Sequence, residues 1–141
     1  MALYHLFAMP GGERQNVSSG APWEATVGYS RAVRVGDHVF VSGTTASDAA
    51  GNVAALGNAY GQAVNVFAKI EAALKEVGAG MKDVVRTRMF ITDMANFDAV
   101  GRAHAEFFRD VLPAATMVEV QRFVSPEMLV EIEVDAVISE D

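Results

Sequence analysis

One segment near the C-terminus constrains the fold more than any other part of the sequence. From Val130 to Ile138 every second residue is apolar, and Glu131, Glu133 and Asp135 stand between the apolar positions. Because successive side chains of a strand point to opposite faces of a sheet, this alternation predicts a strand with one buried and one polar face. The buried face needs a second layer of structure packed against it.

Two helical segments can supply that layer. Residues 58–79 carry apolar side chains at helical spacing, with Lys69 off the apolar stripe and Gly78 near its end. Residues 96–110 repeat the pattern, and Pro113 follows them. Short strands are predicted at 32–35, 38–42, 84–92, 116–121 and 128–138. The order β-β-α-β-α-β-β predicts an α+β fold, a two-layer sandwich whose sheet packs against two helices.

The length and composition fit one domain. The 141 residues are 51% hydrophobic and 21% charged, which suits a packed core. Glycine, proline and serine interrupt residues 1–27 so often that we expect an irregular N-terminal segment there, followed by a single domain at 28–141. Residues 1–9 lack the basic region and long apolar stretch that are typical of a signal peptide.

The charge and the missing residue types exclude several functions. Lys and Arg number 11 against 18 Asp and Glu, and the net charge of −7 disfavours nucleic acid and anionic membrane surfaces as partners. No apolar run reaches the roughly 18 to 20 residues of a membrane span. Because there is no cysteine, disulfides and thiolate sites are excluded, and we expect a cytoplasmic protein. The three histidines are scattered, so neither a metal nor another cofactor is expected.

The strand phases predict a second apolar surface. If the strands are aligned by their buried faces, Val85, Thr116 and Val118 should face the helices. The opposite face of the sheet, here called the far face, should then carry Phe40, Phe90, Met117, Leu129 and Val137. So many large apolar groups on one sheet face predict that other subunits cover it. An ordinary solvated face with single exposed apolar residues is the alternative.

The far face is also expected to carry paired charges. Glu131 and Glu133 lie two residues apart on one strand, and carboxylates so placed can divide the roles of acid and base. Arg86 and Arg88 have the same spacing on another strand. These arginines either neutralise the carboxylates in an ion-pair ladder or hold a carboxylate ligand.

Several short stretches between residues 28 and 138 form a pattern together. They are Gly-Tyr-Ser-Arg-Ala-Val at 28–33, Val-Phe-Val-Ser-Gly at 39–43, Val-Val-Arg-Thr at 84–87, Phe-Phe at 107–108 with Pro-Ala at 113–114, Val-Glu-Val at 118–120, and Leu-Val-Glu-Ile-Glu-Val-Asp-Ala-Val at 129–137. In order and spacing they resemble the Rid/YjgF family of reactive-intermediate deaminases, formerly described as endoribonuclease L-PSP. The resemblance implies a chorismate-mutase-like fold and a homotrimer. In such a trimer the sheets pack as a central barrel, with a small-molecule cleft at each subunit interface.

The resemblance also implies a reaction and a set of cleft residues. Members of this family hydrolyse enamines and imines, such as 2-aminoacrylate, to keto acids and ammonia. The family's cleft tyrosine matches Tyr29, and its Ser-Gly pair matches Ser42 and Gly43. The glutamate of its final strand, which positions or activates water, matches Glu131.

This sequence departs from the family pattern at three positions. The arginine that clamps the substrate carboxylate in a Pro-Ala-Arg motif falls on Ala115. A cysteine or small residue falls on Met117, and an asparagine of the second helix falls on Gly101. The chain therefore resembles the branch of the family that lacks the arginine, and Arg88 is a candidate surrogate for it. We expect little or no turnover of 2-aminoacrylate.

Two functions stay open from the sequence. One is hydrolysis of a small imine, enamine or related C–N compound, with Glu131 as the catalytic residue. Its substrate site would be formed by Tyr29, Ser42, Gly43, Arg88, Ala115 and Met117. The other is a non-catalytic or regulatory trimer that binds a metabolite. If Arg88 is engaged elsewhere, Glu131 should be the principal charge of the cleft, which favours a neutral or amine-bearing ligand.

Overall fold

The computed structural model describes residues 3–9 and 12–139 and shows one mixed sheet packed against two helices. The strands are β1 (Leu3–Met9), β2 (Gly12–Ser18), β3 (Ala32–Val35), β4 (His38–Thr44), β5 (Val84–Ile91), β6 (Ala114–Glu119) and β7 (Val130–Val137). The helices are α1 (Ala59–Glu76) and α2 (Phe97–Phe108). A π-helical turn covers Glu24–Gly28, and 3₁₀ turns cover Met81–Asp83 and Met94–Asn96.

The strand predicted from strict alternation, β7, lies inside the sheet. The strand order is β1-β2-β3-β4-β7-β5-β6, and β7 pairs antiparallel with both β4 and β5. Val130, Ile132 and Val134 are buried in the core beneath the helices. The predicted α+β sandwich, with its element order from residue 32 onward, is confirmed.

Local sequence sets the ends of α1, and aromatic packing joins it to α2. The Asn58 side-chain oxygen accepts a hydrogen bond from the Gly61 N–H at 2.9 Å, which caps the start of the helix. Gly78 follows the helix with a φ of +81°, a conformation that favours glycine. The Phe67 ring meets the Phe108 ring edge-on at 5.5 Å, so the two helices share one core with the sheet.

The expectation of an irregular N-terminal segment is wrong. Residues 3–18 contain β1 and β2, which extend the sheet beyond β3. Gly12 and Ser18 begin and end β2 and do not interrupt it. Turn-forming residues report on local conformation, whereas β2 is held by its pairing with β3 across the sheet.

The predicted phase of β5 is wrong at its first residues. Val85 is 47% exposed, whereas Val84 is buried. The pairing with β7 shifts between Val84 and Arg86, and this bulge turns Val85 away from the core. From Thr87 onward the strand alternates as predicted, with Met89 and Ile91 buried.

The predicted phase of β6 is wrong throughout the strand. β6 runs parallel to β5, and Met117 pairs with the buried Met89, so Met117 packs against the core. Thr116 and Val118 therefore lie on the far face with their β5 partners. The segment carries apolar residues at both even and odd positions, so its pattern does not determine its phase.

The far face still presents large apolar side chains. Phe40 and Val137 are exposed in the single chain and Phe90 is half-buried, as predicted. Leu129 and Met117, which were predicted on the far face, pack against the core instead. Val118, which is 40% exposed, lies on the far face although it was predicted to face the helices. Within the described residues, no helix combines the length and apolar character that crossing a membrane requires.

Candidate functional site

A cavity of about 310 Å³ opens where β4 ends beside the start of β7. Its polar lining includes Ser19, Tyr29, Arg31, Gly43, Thr44, Thr45, Ser47, Asp48, Lys69 and Glu131. Its apolar walls include Ala21, Trp23, Val27, Ala49, Val124 and Met128. Of the site residues predicted from the sequence, the cavity brings together Tyr29, Gly43 and Glu131.

A bulge in β4 shapes the floor of this cavity. Val41 pairs with Val134, but the next pairing is Thr44 with Ile132, so β4 contains one residue more than β7 over this interval. Gly43 lies in the bulge, and a Cβ atom built there would stand 2.6 Å from Oε2 of Glu131. Glycine at this position therefore leaves the space that the Glu131 carboxylate occupies.

Glu131 is a half-buried carboxyl group in an unusual electrostatic setting. Burial raises its pKa and the neighbouring Glu133 raises it further, while the positive charge of Arg31 acts in the opposite direction. Among the described residues, no side chain or loop backbone group hydrogen-bonds to its carboxylate. A carboxylate with a raised pKa is a stronger base than an exposed one, which suits it to accept a proton from a reacting group.

Arg31 stabilises the bulge in β4 through hydrogen bonds from its guanidinium group. Its side chain is only 8% exposed, and Nη1 donates to the Gly43 carbonyl at 2.7 Å and to Thr44 Oγ1 at 2.9 Å. Nη2 reaches the Tyr29 hydroxyl at 3.5 Å, and the guanidinium stands 5.6 Å from the centre of the Tyr29 ring. Arg31 belongs to the stretch at 28–33 that carries the family resemblance, but the sequence alone does not indicate these contacts.

Lys69 reaches the opposite wall of the cavity from α1. Its ammonium donates to the Thr45 carbonyl at 2.7 Å and also to the Ser47 carbonyl, which ties down the loop after β4. Burial lowers the pKa of Lys69, and the charge of Arg31 lowers it further. The sequence placed Lys69 off the apolar stripe of α1, which is typical of a solvated lysine, so this position was missed.

Ser42 lies beside the cavity but does not line it. Its hydroxyl donates to the Ser30 carbonyl at 2.7 Å, and together with Tyr29 it faces a neighbouring shallow depression. The structure thus gives Ser42 a bracing role between the segment before β3 and the bulge in β4.

Arg88 is engaged on the far face. Its Nη1 contacts Asp135 Oδ2 at 3.1 Å and Glu133 Oε1 at 3.4 Å, with about 40% of the arginine side chain exposed. This is the ion-pair arrangement that the sequence offered as one of two alternatives. Arg88 is not among the residues that line the cavity.

Within one chain, Ala115 and Met117 lie far from Glu131. β6 is separated from β7 by β5, which places it about 10 Å away at the usual strand spacing. Ala115 pairs with the buried Thr87 and so belongs to the helix side of the sheet. The single chain does not bring these residues to the cavity.

The described residues contain no group of three His, Cys, Asp or Glu side chains placed to hold a metal ion. His104 is instead paired with Thr87, its Nε2 lying 2.8 Å from the threonine hydroxyl. The ring also packs against Phe67 and Phe108. This histidine belongs to the core between α2 and the sheet.

Comparison with known proteins shows relatives of this chain in sequence and in fold. The model of the family described as endoribonuclease L-PSP matches residues 19–138. An uncharacterized protein of Streptomyces coelicolor is 41% identical over 122 residues, which cover 86% of this chain and 90% of that protein. A RutC family protein of Pyrococcus abyssi is 32% identical over 74% of this chain and 82% of its own length.

Solved structures agree with the sequence relatives. The crystal structure of Rv2704 from Mycobacterium tuberculosis, described as a member of the YjgF/YER057c/UK114 family, superposes with a TM-score of 0.80 at 44% identity, covering 89% of this chain and 99% of that one. RidA from an Antarctic Psychrobacter superposes with a TM-score of 0.75 at 29% identity, covering 86% and 96% of the two chains.

Proposed function

Because this chain belongs to the endoribonuclease L-PSP family, which includes the YjgF and RidA proteins, we propose that its cavity binds and hydrolyses a small C–N compound. An imine or enamine is the substrate class that the resemblance favours. The observation that carries the proposal is the Glu131 carboxyl group. It lies at the cavity, it is partly desolvated, and no hydrogen bond from the described residues occupies it.

The proposed reaction is the hydrolysis of an imine to a carbonyl compound and ammonia. Glu131 accepts a proton from water while the water oxygen bonds to the imine carbon, and the proton is then returned to the nitrogen. This gives a carbinolamine, whose hydroxyl proton Glu131 then takes and passes to the amino group. The carbon–nitrogen bond breaks, ammonia leaves, and the carbon becomes a carbonyl. The raised pKa of Glu131 favours the first transfer, because it makes the carboxylate a stronger base than an exposed glutamate.

A coupled assay tests this reaction. Imines generated from amino acids in the presence of the protein should lose ammonia faster than in its absence, and Glu131→Gln should remove the difference. Glu76→Gln is the matched control, because Glu76 is an exposed residue at the end of α1 and does not line the cavity. Equal rates with and without the wild-type protein over a broad imine panel would contradict the enzymatic proposal.

A homotrimer is part of the proposal. The exposed Phe40 and Val118 of the far face need cover, and the family resemblance supplies a three-fold packing of the sheets. In such an assembly β6 of one subunit could approach the cavity of the next, which would bring position 115 back to the ligand. No nucleic acid or membrane partner is proposed, and the cytoplasmic location inferred from the absence of cysteine stays a prediction.

A non-catalytic metabolite-binding protein is the second candidate. Ala115 stands where the family has its substrate arginine, and Arg88, the surrogate suggested by the sequence, is held by Glu133 and Asp135. Ligand binding without any turnover, in the same assay, would favour this function over the first.

A further inference from the structure

The cavity contains two positive charges that the sequence did not predict there. Arg31 and Lys69 both line it, and neither forms an ion pair within the part of the chain that the structure describes. Glu131 shares the cavity without touching either cation closely enough to form an ion pair. Asp48 also lines the cavity and attracts Lys69, which opposes the lowering of the lysine pKa, but it forms no ion pair with it. Asp48 Oδ1 accepts from the Ala50 and Asn52 N–H groups in an exposed loop.

Both cations have N–H groups that are not used in hydrogen bonds to the described residues. A guanidinium has five N–H groups, and Arg31 uses Nη1 for the bulge and one N–H of Nη2 for Tyr29. Its Nε has no partner among the described residues. Among the described residues, Gln15 Oε1 is the one side-chain nitrogen or oxygen atom that is fully buried and has no hydrogen-bond partner. Because Arg31 Nε also lacks a partner, it cannot be fully buried. Lys69 likewise uses two of its three N–H groups as donors, to the carbonyl oxygens of Thr45 and Ser47.

Arg31 is buried and Lys69 is half-buried, and Glu131 and Asp48 attract them only from beyond ion-pair distance, so keeping both positive charges in the cavity costs free energy. Their mutual repulsion contributes to the lowered pKa of Lys69. An anionic group placed between them would remove this cost and would use the spare donors at the same time. Structural bracing alone does not require a charge at position 69, since a neutral donor could also bind two carbonyl oxygens.

We propose that Arg31 and Lys69 bind a carboxylate group of the ligand while Glu131 faces its nitrogen. The inference rests on the proposed function and assigns its anion recognition to residues other than position 115. The apolar walls formed by Trp23, Val27 and Met128 then receive the hydrocarbon part of the ligand. The ligand is thus an amino- or imino-carboxylate with an apolar body. This replaces the expectation of a neutral or amine-bearing ligand, because Glu131 is not the principal charge of the cavity.

A matched pair of fluorescent probes tests the assignment. 2-Aminobenzoate and 2-aminobenzamide share an aromatic body and an amine, and they differ only in carboxylate against carboxamide. Trp23 is the single tryptophan of the chain and lines the cavity, so its quenching reports binding there. A charge-assisted contact should favour the carboxylate about 10- to 100-fold in Kd for the wild-type protein.

Variants of the two cations localise that preference. Lys69→Met should reduce the carboxylate preference at least several-fold, while Lys75→Met, on the exposed side of the same helix, should leave it unchanged. Arg31→Gln should reduce it as well, but this variant also loses bonds to the bulge. Lys69→Met therefore decides the question, because a merely structural lysine would alter the binding of both probes equally.

The outcomes separate this inference from the proposed function. If both probes bind the wild-type protein equally well, the anion site is refuted while a small-molecule cavity is retained. If the carboxylate preference survives both Lys69→Met and Arg31→Gln, the assignment to these residues is refuted. If neither probe quenches Trp23 at millimolar concentration, the small-molecule cavity and the anion site are refuted together.

Discussion

The Glu131 carboxylate rests on the backbone of Gly43, so closely that a Cβ atom on the glycine would stand 2.6 Å from Oε2. Gly43 does not have a positive φ, so alanine fits its backbone conformation, and the three atoms nearest to the added Cβ all belong to Glu131. The bulge in β4 and the acid of β7 are therefore two parts of one arrangement. A change at the glycine can be used to move the acid.

Gly43→Ala should displace Glu131 and weaken ligand binding and turnover while leaving the chain folded. Overpacking of this kind costs roughly 1 to 3 kcal/mol of stability. Gly101→Ala is the control, since a Cβ there meets nothing within 4 Å and alanine should stabilise α2 by about 1 kcal/mol. Thermal melting and probe titration of both variants provide the measurement. Undiminished binding by Gly43→Ala would contradict the coupling.

Glu131→Gln should raise the melting temperature at about pH 7. Burial raises the pKa of Glu131 above its ordinary value of 4.5, so the folded state holds the proton more tightly than the unfolded state. Its contribution to stability is present below the ordinary pKa and is lost as the pH rises through the folded pKa. The gain in the Gln variant should therefore shrink at about pH 4. A melting temperature lowered equally at both pH values would be inconsistent with this account.

His104 should make the protein less stable in mild acid. Burial lowers its pKa below 6.5, so the unfolded chain takes up a proton more readily than the folded one. The stability is complete above the ordinary pKa and decreases as the pH falls through 6.5 toward the folded pKa. His104→Leu should flatten the dependence of the melting temperature on pH over this range.

Light scattering at micromolar concentration should give a mass of about 45 kDa, three times the chain mass of 15.0 kDa. Phe40→Glu should shift the mass toward that of a single chain, because it places a charge on the apolar far face. Leu56→Glu alters an even more exposed apolar residue in the loop before α1 and should not change the mass. A wild-type mass near 15 kDa would rule out the proposed assembly.

Wild-type protein should turn over 2-aminoacrylate weakly or not at all. Even with its carboxylate at Arg31 and Lys69, this substrate lacks the bidentate contact of the family's arginine at position 115, and losing such a contact costs roughly 2 to 4 kcal/mol, or about 30- to 1000-fold in rate. It also has no apolar body to fill the cavity walls. Ala115→Arg should increase the rate if a neighbouring β6 reaches the cavity in the trimer. Rapid wild-type turnover would show that position 115 does not limit this chemistry.

The sequence predicted those elements whose own pattern determines them. The alternation in β7 gave its buried face, and the apolar stripe of α1 gave the helix, because one periodicity dominates each segment. β6 has apolar residues on both faces, and its phase depends on the parallel pairing with β5. β2 is defined by its partner β3, which no local signal encodes.

The site was predicted in part for a similar reason. Tyr29, Gly43 and Glu131 were found from the family resemblance, and the structure groups them around one cavity. Arg31 and Lys69 were missed because a charged residue beside a strand or off a helical stripe is usually solvated. Their burial depends on the bulge and on the loop after β4, which only the folded chain brings together.

The N-terminal strands have a consequence for any shortened form of this protein. The Val17 carbonyl accepts from the Arg31 N–H at 2.7 Å, and the cavity wall residues Ser19, Ala21 and Trp23 follow directly after β2. Trimming the chain to the region that sequence comparison recognises, from residue 19, would keep these wall residues and remove the strand that anchors them. The shortened protein would keep the residues that line the cavity but would lose the strand that supports the cavity wall.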